Sequence, residues 1–203
     1  QIRLIVHPES EHLYTELTRN AHVGEDLMAT ATSSSRTVLA WPQDNPKAAF
    51  FAKLSLDAEI DGVRRTVSAG ETVRSIGHND ALVVAGRNGE LPRNFKVFPE
   101  VFSTVPKGMD EGGLIIRTIP KEMLLGKVRH VPLFSLYATP PDGKPPMLAQ
   151  MIAQSGMEPE AFINQHLIRP IAKQWLELIF NGIAPQPHAQ NLMMEVGQNG
   201  MPT

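Results

Sequence analysis

Residues 50–60 read Phe50-Phe51-Ala52-Lys53-Leu54-Ser55-Leu56-Asp57-Ala58-Glu59-Ile60. Phe50, Ala52, Leu54, Leu56, Ala58 and Ile60 fall on one side of an extended chain. Phe51, Lys53, Ser55, Asp57 and Glu59 fall on the other. Strict alternation with a period of two is the pattern of a strand with one buried face. It places Lys53 on the polar face. Asp61-Gly62 then turns the chain into Val63-Arg64-Arg65-Thr66-Val67, which predicts a hairpin.

Working outward, further strands are expected over 2–6, 37–41, 81–85, 95–102, 113–119 and 130–137, separated by Gly and Pro signals. Residues 9–19 suit a short helix. Residues 23–35 are small and polar and carry no clear element. Trp41-Pro42-Gln43-Asp44-Asn45-Pro46 reads as a turn. After the rigid connector Pro140-Pro141-Asp142-Gly143-Lys144-Pro145-Pro146 the character changes. A short helix is expected over 147–155 and a long one over 159–181. Phe162, Ile163, Leu167, Ile168, Ile171, Trp175, Leu178 and Ile179 recur there at three- and four-residue steps. Pro170 should kink this helix and Gly182 should stop it. A last strand runs through Val196. Strands followed by helices imply an α+β fold, with a β-rich region over 1–139 and a helical region over 140–203.

The 203 residues are long enough to bury a core without staples. Hydrophobic residues make up 42% and charged residues 20%, which excludes wholesale disorder. A formal charge of −2 argues against a general nucleic-acid binder but leaves room for a local cationic pocket. No Cys is present, so disulfide scaffolds, thiolate metal sites and Cys nucleophiles are excluded. That composition fits a reducing, cytoplasmic setting. No stretch suits a membrane span. The chain opens on Gln1 directly into apolar residues and closes on Gly197-Gln198-Asn199-Gly200, so it reads as a piece of something longer.

Common enzyme signatures are missing: no Gly-rich loop ending in Gly-Lys-Ser/Thr, no Gly-x-Gly-x-x-Gly, no His-Glu-x-x-His and no Gly-x-Ser-x-Gly. Four segments can still carry chemistry. Ser33-Ser34-Ser35-Arg36-Thr37 sets hydroxyls and a guanidinium at a loop-to-strand junction, which suits phosphate oxygens or is simply a solvated loop. Lys53, followed by Arg64-Arg65 beyond the hairpin, is either a ligand or a solvated edge residue. Arg117 lies between Ile115 and Ile119 on its own face, so it needs a paired carboxylate or a bound anion. His188-Ala189-Gln190-Asn191 follows a Pro-rich turn and offers directed hydrogen bonds, unless His188 is a structural histidine.

Their order carries more than each alone. Ser34-x-Arg36-Thr37, Lys53-Leu54-Ser55-Leu56, Arg65-Thr66, Arg117 and Pro187-His188-x-Gln190-Asn191 resemble the siderophore synthetases that work independently of nonribosomal peptide synthetases, the aerobactin synthetase family. Val6-His7-Pro8 is similar to a His-Pro element of that family. The resemblance implies a cupped hand of thumb, fingers and palm, with fingers over 1–139 and part of the palm over 140–203. It implies ATP with Mg²⁺, adenylation of a carboxylate of citrate or a related acid, and condensation with an amine or hydroxyl in siderophore biosynthesis. By motif, Ser34, Arg36, Thr37, Lys53, Arg117, His188, Gln190 and Asn191 would contact the nucleotide. Arg65 and His188 would hold the carboxylate, and Lys53, Arg65 and His188 would serve the chemistry. Family members are often dimers, which extends here as an expectation.

The chain departs from the family pattern in that the family's N-terminal part, with its own His-Pro element, is not in this sequence, and in two further places. Gln186 stands where relatives often have Glu, and the Arg-Asp element whose Asp helps hold the metal would lie past residue 203. Two other functions therefore stay open. One is a non-catalytic domain that binds nucleotide or carboxylate. The other is a kinase-like phosphotransferase, against which the missing Gly-rich loop and Asp-Phe-Gly element count.

Overall fold

The computed structural model describes residues 4–19, 24 and 26–203. Two compact units divide the chain: residues 1–84 with 97–120, and residues 85–96 with 121–203. Each is described by itself.

The first unit is built on a five-stranded antiparallel sheet of order β1-β2-β3-β7-β6. Its strands are β1 (Leu27–Ala31), β2 (Thr37–Pro42), β3 (Phe50–Leu54), β6 (Glu100–Thr104) and β7 (Leu114–Thr118). The alternation around Lys53 thus belongs to the central strand. Its apolar side, Phe50, Ala52 and Leu54, packs with Val38, Leu114 and Ile116. Leu4 and Ile5 cover this side. Over the described residues 4–6 they form no strand, and residues 2 and 3 of the expected strand lie outside the description. The region expected as a short helix is a 3₁₀ segment, Pro8–Tyr14, leading into α1 (Thr15–Thr18).

The strand expected over 50–60 is split. β3 ends at Leu54, and Glu59–Ile60 (β4) pairs with Val63–Arg64 (β5) in a separate hairpin. The reason lies at Ser55, which is buried rather than on a polar face. Its hydroxyl donates to the Gly113 carbonyl (3.1 Å) and accepts the Val67 N–H (2.8 Å). Leu56 N–H then bonds the Arg65 carbonyl (3.2 Å), so the chain changes partner. The Asp61-Gly62 turn forms as expected, with both residues at positive φ (52° and 73°).

The largest departure is α2 (Ala69–Arg87), where 81–85 was expected to be a strand. Ser68 starts it by accepting the Glu71 N–H on its side chain (3.1 Å). Val83 and Val84, whose β-branched chemistry suggested a strand, are exposed on this helix. β1 falls within the stretch to which no element was assigned. β6 begins at Glu100, later than the 95–102 strand expected there.

The second unit pairs β8 (Val128–Pro132) with β9 (Met193–Gly197). The strand expected over 130–137 therefore stops at Pro132 and continues as a 3₁₀ segment, Leu133–Tyr137. A one-turn helix, α3 (Lys121–Leu124), precedes β8. Leu136, Met151, Phe162, Met194 and Val196 form the core, drawing on α4 (Met147–Ser155) and α5 (Pro159–Ile163). The expected long helix runs as α5, a π-helical turn (Asn164–Ile168) and α6 (Arg169–Phe180). Pro170 lacks an N–H and crowds the carbonyl four residues back, and the widened π turn directly before it absorbs both effects. Gly182, at φ 76°, closes α6: its N–H bonds the Ile179 carbonyl (2.9 Å) and the Ile183 N–H bonds that of Leu178 (2.8 Å). No helix among the described residues is long and apolar enough to cross a membrane.

Candidate functional site: a cationic sheet face

The polar face of the central sheet collects the cations. Thr32 fixes the loop before β2: its hydroxyl donates to the Thr37 carbonyl (2.6 Å) and accepts the Ser34 N–H (3.2 Å). Arg36 is then laid beside β3, its carbonyl accepting the Leu54 N–H (2.7 Å). Its Nη1 donates to the carbonyls of Thr66 (2.5 Å) and Arg65 (3.1 Å), and its Nη2 to Glu71 Oε1 (3.4 Å). Thr37 lies opposite Lys53 in the β2–β3 register. Lys53 donates to the same Glu71 oxygen. It is therefore paired on a central strand, not solvated at an edge.

Arg65 and Arg64 part company at the hairpin. Arg64 pairs with Asp57 (2.7 Å) and Glu111 (3.0 Å). Arg65 comes close enough to Arg36 to repel it. Arg65 Nη2 donates to the Ile60 carbonyl (3.1 Å), while its Nε is buried with no hydrogen-bond partner among the described residues. Arg117 sits two pairs along from Lys53, opposite Phe51 on β3. On β6 it faces Glu100, whose Oε1 accepts from Nε (2.7 Å) and Nη2 (2.6 Å). The anion that Arg117 required is thus a carboxylate across the strand.

Burial pulls the Arg36 guanidinium below its ordinary pKa, Arg65 and Arg117 push the same way, and Glu71 opposes them. An arginine keeps its charge in proteins all the same. Burial alone would raise Glu100. The neighbouring Ser75 hydroxyl, Arg117 and Lys53 outweigh it and hold the carboxyl below the usual range. Ser75 lies beside this carboxylate but outside good hydrogen-bond geometry. Four cations against Glu71, Glu100 and the exposed Asp61 leave this face net positive.

His188, Gln190 and Asn191 belong to the second unit, in the turn before β9. The His188 carbonyl accepts the N–H of Asn191 (2.9 Å) and of Leu192 (3.1 Å). Asn191 Nδ2 reaches the Gln186 carbonyl (3.4 Å). The Ala189 carbonyl accepts the Phe134 N–H (3.3 Å), which ties the turn to the 3₁₀ segment. All three side chains are exposed. Arg36, Lys53, Arg65 and Arg117 are thus gathered within the first unit, and the His188 group is a turn of the second.

Sequence reasoning missed Glu71 and Glu100. Glu71 had a signal in Ser68-x-x-Glu71, the start of a capping box. Glu100 had none, because its pairing depends on strand register.

No family model matches the chain. Among curated proteins, the L-2,3-diaminopropanoate–citrate ligase of Staphylococcus aureus is 29% identical over 184 residues, covering 84% of this chain. Over most of its length the chain is thus similar in sequence to a citrate ligase. A second synthetase of that organism, 2-[(L-alanin-3-ylcarbamoyl)methyl]-3-(2-aminoethylcarbamoyl)-2-hydroxypropanoate synthase, is 36% identical over 91 residues, 45% of this chain. These matches take in 30% and 14% of the relatives' own lengths, so the chain spans under a third of each. The fold agrees with solved synthetases. The petrobactin biosynthesis protein AsbB from Bacillus anthracis superposes with a TM-score of 0.72 at 23% identity, over 98% of this chain and 35% of that one. The ATP-bound aerobactin synthetase IucA from Klebsiella pneumoniae gives 0.65 at 18% identity, over 98% and 39%.

Proposed function

We propose that this chain supplies the phosphate-binding part of an ATP-dependent siderophore synthetase, which adenylates a carboxylate of citrate or a related acid and passes it to an amine or hydroxyl. The observation that carries this reading is the cluster of Arg36, Lys53, Arg65 and Arg117 on one sheet face, in a chain whose relatives include a citrate ligase. The two other readings, a binding-only domain and a phosphotransferase, are not favoured by relatives that are a ligase and a synthase.

The chemistry asks for such a face. A carboxylate must approach a nucleotide phosphate, and both are anionic. Two like charges 4 Å apart repel by about 4 kcal/mol at an effective dielectric of 20. Fixed cations offset that repulsion and stabilise the charge that builds on the phosphate as the bond forms. In the proposed reaction a carboxylate oxygen attacks the α-phosphorus and pyrophosphate leaves. The amine or hydroxyl then attacks the acyl carbon, loses its proton, and AMP departs.

Ser34, Arg36, Thr37, Lys53 and Arg117 are proposed to contact the nucleotide, and Arg65 to hold the carboxylate. For the second unit we propose that His188, Gln190 and Asn191 contact nucleotide, with His188 also taking the carboxylate. Lys53, Arg65 and His188 would serve the bond-making steps. Mg²⁺ would lessen the phosphate charge. Among the described residues no group of three or more His, Asp or Glu could hold a metal ion. The fingers over 1–139, the palm over 140–203 and a homodimer remain part of this proposal.

The test is carboxylate-dependent exchange of labelled pyrophosphate into ATP by the full synthetase carrying this segment. Citrate or a related acid is expected to support exchange, with AMP as the nucleotide product of the complete reaction. ADP as the product would contradict the reading.

A further inference from the structure

Glu71 sits at the focus of the cationic face. It is in the first turn of α2, held there by the Ser68 cap, where the helix's partial positive charge favours a carboxylate. Its Oε1 accepts from both Lys53 and Arg36. Side-chain exposure is 18% for each cation and 26% for Glu71, so solvent screens the contact only in part. Ser75, one turn further along α2, lies against Glu100, the carboxylate that holds Arg117. The start of α2 thus brings Glu71 to Lys53 and Arg36 and Ser75 to Glu100.

Two roles are physically distinct. As a mere counter-charge, Glu71 would lower the positive field and oppose an incoming phosphate. As an anchor, it would fix a flexible lysine stem and turn two cations toward one point, taking only one of the three ammonium hydrogens. Protein kinases divide the work in the same way, with a phosphate-binding Lys on a strand held by a Glu on a following helix.

We propose that Glu71 is a positioning residue for nucleotide phosphates: it fixes Lys53 and Arg36 in the geometry that receives them. This rests on the nucleotide reading above, and the geometry favours it because a single oxygen gathers both cations while Arg36 is already braced by two backbone carbonyls.

The test titrates ATP with magnesium chloride into the full chain by calorimetry, for wild type, Glu71→Gln, Glu71→Asp, Lys53→Ala and the Lys53→Ala/Glu71→Gln double variant, with thermal melts of each. Glu71→Gln keeps the shape and drops the charge. Glu71→Asp keeps the charge and shortens the reach. Both are expected to weaken ATP roughly tenfold, the scale of one charge-assisted hydrogen bond. In the Lys53→Ala background Glu71→Gln should cost less than in wild type, because one of the two cations it positions is gone and Arg36 keeps its two backbone carbonyls. The proposal is overturned if Glu71→Gln binds as tightly as wild type or more tightly, or if Glu71→Asp matches wild type. With Lys53→Ala still weakened, those results would make Glu71 a counter-charge and leave the nucleotide reading standing. Loss of the fold in both Glu71 variants makes the residue structural and overturns the proposal too. If wild type binds no ATP, or Lys53→Ala binds it unchanged, the nucleotide reading fails and the proposal with it.

Discussion

Arg117 and Glu100 show what a single position can and cannot disclose. The flanking Ile115 and Ile119 already demanded an anion for Arg117, because a cation on a half-buried face is costly without one. Which anion was hidden, since Glu100 faces Arg117 only through a register with a bulge between Glu100 and Phe102. Lys53 was legible as a polar-face residue, but its central strand and its partner were not. The Glu100–Arg117 pair gives a pH prediction. The Glu100 carboxyl is held below its ordinary value, so its contribution to stability is complete above the unfolded value of about 4.3 and fades as pH falls through the lower folded value. Glu100→Gln should therefore melt earlier than wild type at pH 7, and the gap should narrow as the pH falls below about 4. Melting temperatures measured from pH 7 to pH 3 check this, and a gap that widens on acidification would count against the assigned pairing.

Among elements, α2 was the most obscure and α6 the clearest. The α6 boundary followed from local chemistry: a Gly at positive φ ends it, and the π turn precedes Pro170. For α2 the run Ala81-Leu82-Val83-Val84-Ala85 favours a strand by local preference, yet its valines end up exposed on a helix. The helix is decided at its other end, where Ser68 caps and Thr72 packs beside Gly113. There a Cβ added at Gly113 would come within 2.9 Å of the Val67 carbonyl and of Thr72 Cγ2. Propensity is a weak prior once such contacts exist. Ser68→Ala should cost about 1 kcal/mol of stability, the usual loss of an N-cap. It should also weaken ATP binding, since Glu71 rides on that first turn. Denaturant unfolding reads the first effect and titration the second. An unchanged unfolding midpoint would show that the cap does not hold the helix start.

At the scale of the whole molecule, the α+β class was legible from the order of strands and helices, and the resemblance to siderophore synthetases from the order of the motifs that carry Arg36, Lys53, Arg65 and Arg117. The compact units were not legible. They assign residues 85–96 and 121–139 to the unit that also holds the C-terminal helices, whereas composition changes at 139/140. Pairing of β8 with β9 is the cause, a long-range contact that no local pattern announces. A net charge of −2 conceals a positive sheet face, because the remaining charges are spread elsewhere. Calorimetric titration of ATP into wild type, Arg36→Ala and Lys53→Ala tests that face most directly. Saturable one-site binding by wild type, weakened roughly tenfold or more in each variant as a charged hydrogen-bond donor is lost, is the predicted result. Equal ATP affinity in all three proteins would contradict the account.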